Sequence, residues 1–103
     1  MRRWILTLIL IFLISGCVKQ KSLREQAVES CLKLCQESLK EGINLEDGPC
    51  LSEEIVDDWV CDVSHFPRIE KDDFPQNQCG SYRVGGTHHF VEVDEECNLI
   101  RVY

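Results

Sequence analysis

Six cysteines, Cys31, Cys35, Cys50, Cys61, Cys79 and Cys97, are spread over the last three-quarters of a 103-residue chain. An even set in so short a chain reads as a disulfide framework, with fifteen possible connectivities. The physical need is clear. A chain of this size buries too little apolar surface to offset its conformational entropy comfortably, and each bridge adds on the order of 2–4 kcal/mol by restricting the unfolded state. A structural metal is the competing use of cysteine. No C-x2-C pair occurs to build a zinc knuckle or finger.

A seventh cysteine explains the compartment such bridges require. Arg2 and Arg3 precede an apolar run from Trp4 to Ile14, which breaks off at Ser15, Gly16 and Cys17. The run falls well short of the roughly 20 residues that span a bilayer. A positive start, an apolar middle and small residues at a cut site form a secretory signal. Ile14-Ser15-Gly16-Cys17 resembles the lipobox of prokaryotic lipoproteins, in which the cysteine thiol receives a lipid and becomes the first mature residue. The expected organisation is a signal peptide at 1–16, a lipidated Cys17 with a tether to residue 21, and one domain at 22–103. The setting is the outer face of the cytoplasmic membrane, reached by lipid anchoring. Removal of Arg2 and Arg3 leaves nine basic against eighteen acidic residues, a formal charge of −9, which argues against nucleic acid as a partner.

Within the domain, Ser22 and Glu25 make an S-x-x-E capping box and Gly42 supplies a stop, so Ser22 to Glu41 is expected to be helical. Leu23, Ala27, Val28, Cys31, Leu34, Cys35 and Leu39 recur at helical steps and form its apolar stripe. Gly42 to Ser52 reads as loop, with a helical turn at Ser52-Glu53-Glu54. Asp58 to His65 alternates as a strand anchored by Trp59. Pro67 to Gln78 is a polar connection, and Gly85-Gly86 between Ser81–Val84 and Thr87–Asp94 suits a two-residue hairpin. Leu99 to Tyr103 forms a last strand, with Val91 and Val93 sharing a face with Ile100 and Val102.

The expected fold is α+β: one N-terminal amphipathic helix on an antiparallel sheet of three or four strands, stapled by disulfides. Given that hairpin, Cys79 pairs with Cys97. Cys31 and Cys35 then bond Cys50 and Cys61 in either order, with proximity favouring Cys31 with Cys61 and Cys35 with Cys50.

The segments GPCLS, DWVCDVSHFPR, NQC and HHFVEVDEECNLIR resemble the signature segments of a family of small, functionally uncharacterised archaeal secreted proteins rich in cysteine. The resemblance implies a common fold and an extracytoplasmic setting. It implies no activity and no catalytic residue.

No nucleophile elbow, H-E-x-x-H motif or phosphate-cradling glycine loop is present, and no cofactor is indicated. Two readings remain. One is a non-enzymatic binding or structural module, with Trp59, Arg68 and Tyr82 as a possible ligand patch and Phe66-Pro67 with the following loop as a surface. The other is a metal-dependent site at His65 with His88 or His89, Asp62 or Glu92 standing near. The acidic pairs Asp57-Asp58 and Asp72-Asp73 lack the D-x-D-x-D-G spacing of a calcium loop and read as surface.

Overall fold

The computed structural model describes residues 20–103. The expected signal peptide, the expected lipidation at Cys17 and most of the expected tether lie outside them. Among the described residues no helix is long and apolar enough to cross a membrane.

Helix α1 spans Leu23–Lys40. Ser22 Oγ accepts from the Glu25 backbone N–H at 3.2 Å and touches the Glu25 carboxylate at 3.3 Å, so the expected cap forms. At the other end Gly42 N–H reaches Leu39 O and Ile43 N–H reaches Ser38 O. This paired closure needs the left-handed backbone that Gly42 adopts, with φ 79°. The buried stripe is narrower than the pattern implies: Ala27, Cys31, Cys35 and Ser38 are buried, whereas Leu23 and Leu39 at the two ends are exposed.

Four strands follow: β1 (Cys50–Val56), β2 (Trp59–Val63), β3 (His89–Val93) and β4 (Leu99–Val102). They lie in chain order in one sheet, with β1–β2 and β3–β4 antiparallel and β2–β3 parallel. The result is α+β with a mostly antiparallel sheet, as expected. The parallel central pair is the point of difference. Antiparallel neighbours can be joined by a tight turn, but parallel ones need a crossover of about a dozen residues or more, and residues 64–88 supply it. They contain two 3-10 turns, Glu70–Asp73 and Pro75–Asn77, and a short helix α2, Gly80–Arg83. The expected hairpin at Gly85-Gly86 does not form. Ser81 to Val84 coils into α2, and Gly85, with φ 81°, reverses the chain at its end.

Strand β1 also replaces an expected loop and helical turn. Its register shifts twice against β2, so no clean alternation marks it in the sequence. Leu51, Ile55 and Val56 nevertheless pack against the core. The β1–β2 turn is Asp57-Asp58, with Asp58 in the left-handed region at φ 67°, a conformation aspartate tolerates better than most residues. Between β3 and β4 a bulge sets Leu99 rather than Ile100 opposite Val93, while Val91 faces Val102.

The core lies between α1 and one sheet face. Ala27, Cys31 and Cys35 meet Trp59, Cys61, Val63, Val91 and Val93, with Leu45 and Cys97 closing the edge. Two bridges run through it, Cys31–Cys61 and Cys35–Cys97. The third, Cys50–Cys79, lies on the opposite face. The Cys31–Cys61 expectation therefore holds, while Cys79–Cys97 and Cys35–Cys50 are corrected. Both errors follow from the missing hairpin. The crossover carries Cys79 over the outer face, where Cys50 points, and the tight β3–β4 turn leaves Cys97 on the helix side.

Candidate functional site

The parallel register decides what the sheet can assemble. Trp59 sits opposite His89 and Val63 opposite Val93, so His65, beyond the end of β2, stands at the far end of the sheet from His88 and His89. The proposed histidine site is not brought together. His88 Nδ1 and its backbone N–H both contact Asp58 Oδ1, at 2.8 and 3.0 Å. This hydrogen bonding from His88 holds the Asp58 carboxyl below its ordinary value. His89 stacks on Trp59 with ring centroids 4.6 Å apart. His65 Nδ1 lies 2.9 Å from Asp72 Oδ1.

Asp72 itself is buried, which corrects its reading as surface. Its Oδ2 accepts the backbone N–H groups of His65 and Ile69, each at 3.0 Å. Burial pushes this carboxyl up, but those donors and the His65 ring outweigh it and the net shift is downward. Gly48 allows the close approach: a Cβ there would meet Asp72 Oδ1 at 2.9 Å and Val63 O at 3.1 Å, in a backbone already at φ 68°. Asp72 is thus the pin of the crossover's first half, a structural acid.

The outer sheet face holds the chemistry. Cys50 pairs with Asp62, Asp62 with Glu92 and Glu92 with Arg101, so one row crosses all four strands. Over it lies a cavity of about 430 Å³ whose floor includes Val60, Asp62, Phe90, Glu92 and Arg101. Arg68, Gln78 and Cys79 from the crossover and Tyr82 and Arg83 from α2 form its wall. Tyr82 meets Phe90 edge to face, with centroids 5.2 Å apart.

Electrostatics in this cavity are uneven. Glu92 is nearly buried and faces two cations, Arg68 Nη1 at 3.4 Å and Arg101 Nη2 at 3.7 Å. Asp62 has no such partner, and its Oδ1 is buried without a hydrogen bond. Burial first, and the neighbouring Glu92 charge second, push the Asp62 carboxyl up to about 8. Two adjacent carboxyls share one site, and the one without a cation keeps its proton. Among the described residues Arg83 makes no ion pair.

Of the suggested ligand patch, Arg68 and Tyr82 do meet in this cavity. Trp59 does not, because its side chain is in the core on the other face. Phe66 is exposed to 78% beside Pro67, as a surface loop requires. The sequence offers Asp62 and Glu92 only as neighbours of a histidine site, and it does not mark out Arg83 or Arg101. The available signal is an acid at the fourth position of each of two five-residue, largely apolar strands, WVCDV and HFVEV. The only three-residue group of ligand-type atoms among the described residues is Cys50, Asp62 and Cys79, within 4.8 Å of one another. Its two sulfurs are bonded together, so it offers no thiolates to a metal. Comparisons with protein-family models, with curated proteins and with solved structures found no match to this chain.

Proposed function

We propose that this chain is an exported, lipid-anchored binding module of the archaeal secreted type its segments resemble, and that it holds a small ligand bearing an acidic group in the outer-face cavity. The observation that carries this reading is the placement of arginine. In a strongly acidic protein, three of the four arginines beyond the signal, Arg68, Arg83 and Arg101, line this one cavity. Glu92 occupies two of them, and Arg83 is left to meet an incoming anion, for which its planar fork is suited. Protonated Asp62 adds a hydrogen-bond donor, and Phe90 with Tyr82 offers an apolar surface to the rest of the ligand.

Titration of small carboxylates and phosphates into the isotope-labelled oxidised chain, followed by amide NMR, tests the reading. Shifts should centre on β2, β3 and α2, and Arg83→Ala should weaken binding about ten-fold or more, the value of a lost charge-assisted contact. Absence of saturable shifts around the cavity at millimolar ligand would overturn it. The anchor has its own test. Cys17→Ser should abolish lipid labelling and release the folded domain from the membrane fraction, and a variant that stays membrane-bound would count against lipidation.

A further inference from the structure

We propose that Cys50–Cys79 is a reducible bridge that exchanges with an external dithiol, with Asp62 delivering the proton to the departing Cys79 sulfur. This inference does not depend on the ligand reading: the two share the Asp62 carboxyl, but this one is carried by the bridge sulfurs and that one by Arg83. The three bridges differ in setting. Cys31, Cys61 and Cys35 are fully buried and Cys97 is 5% exposed, all beneath α1. Cys50 is only half-buried at the start of an edge strand, and Cys79, though 3% exposed, forms part of the cavity wall. A carboxyl oxygen of Asp62 lies within 4.8 Å of both sulfurs.

The step follows from these positions. A thiolate of the dithiol attacks the sulfur of Cys50, the less buried residue of the pair, a bond forms between them, and the Cys50–Cys79 bond breaks with its electron pair leaving on Cys79. The Glu53 carboxylate, 3.5 Å from Cys50 Sγ, disfavours negative charge on that sulfur and so favours Cys79 as the leaving group. The Cys79 thiolate is held in a buried site with Ser52 O at 3.7 Å and Cys61 O at 3.6 Å, both repulsive to an anion. Protonation there removes the cost. Asp62 gives its proton to Cys79 and regains one from solvent through the cavity. The second thiol of the dithiol, losing its proton to water, then attacks its own partner sulfur in the mixed disulfide. Cys50 is released and takes a proton from water. Two electrons pass from the dithiol to the bridge, yielding a cyclic disulfide and two protein thiols.

Burial and Glu92 keep Asp62 protonated near neutrality, which is the state the step requires. The charged groups facing it are Glu53 on β1, Glu92 on β3, Arg101 on β4, Arg68 and Asp72 on the crossover and Arg83 on α2. No histidine lines the cavity.

The test uses dithiothreitol on the oxidised chain carrying Cys17→Ser, with timed alkylation and mass mapping of each cysteine between pH 6 and 9. Cys50 and Cys79 should become alkylated about ten-fold or more ahead of the other four. Divided by the dithiothreitol thiolate concentration, the wild-type rate should fall as pH passes through the ionisation of Asp62. In the isosteric Asp62→Asn variant the normalised rate should be low and flat, about ten-fold below wild type at pH 7. Simultaneous opening of all three bridges would overturn the proposal. So would a flat wild-type profile, a reading that needs no variant to fold, or an unchanged profile in Asp62→Asn.

Discussion

The two faces of this sheet are built from alternate residues of the same strands, yet they behave as different materials. On the helix side, Cys61 stands beside Val91, and Val91 opposite Val102. Cys61 and Val91 are fully buried and Val102 half-buried, so the row is apolar across β2, β3 and β4, with Ser52 opposite Cys61 on the edge strand. One residue along, the row from Cys50 through Asp62 and Glu92 to Arg101 is charged or polar and opens into a cavity. A strand's two-residue period makes this separation complete, because no side chain belongs to both faces. A small domain can therefore concentrate its stability on one side and leave costly, unsatisfied groups on the other.

The largest test of that division removes one bridge from each face. Cys31–Cys61 and Cys50–Cys79 close loops of nearly equal separation, 30 and 29 residues, so chain entropy assigns each about 3–4 kcal/mol. Paired alanine replacements should not cost the same in denaturant unfolding. Loss of Cys31–Cys61 also leaves a hole in the core and should cost about 1–2 kcal/mol more. Equal costs would mean that packing does not distinguish the faces.

Next in size is Asp72→Ala, expected to cost about 2–4 kcal/mol by stranding the buried donors of His65 and Ile69. Because the folded-state value of Asp72 is lowered, its contribution is present above the ordinary carboxylate range and is lost as pH falls through that lowered value. Acid titration of wild type and variant should converge at low pH.

A methyl-scale comparison follows. Val93→Ala, on the fully buried helix side, should lower stability by about 1.5–3 kcal/mol, whereas Val84→Ala, at a position 83% exposed, should stay within about 0.5 kcal/mol.

The smallest effect sharpens the comparison from the cavity side. Asp62 holds its proton to about pH 8 when folded, against an ordinary value of 3.8 in the unfolded chain. Between those limits the folded state binds a proton the unfolded chain does not, so stability falls as pH rises. Asp62→Asn lacks this dependence. It should gain on the order of 1 kcal/mol or more relative to wild type between pH 5 and pH 8 in paired thermal or denaturant unfolding.

Helix α1, its two caps, strands β2, β3 and β4, the final turn and the α+β class were all legible without coordinates. Each rests on local rules: a serine three residues before a glutamate, a glycine free to take positive φ, an alternation of period two. Six cysteines in a short chain likewise declared a disulfide framework, since a chain this small needs it whatever its topology. Tertiary structure alone decided the rest. Whether β2 and β3 run parallel depends on where the crossover packs, and Ser81 to Val84 has no local signal strong enough to choose hairpin or helix. That one choice reassigned Cys79 and Cys97, separated His65 from His88 and His89, and aligned Asp62 beside Glu92. Register joins residues distant in the chain through burial and hydrogen bonding that no short window contains, so the protein's most unusual acid emerges only when the sheet is complete.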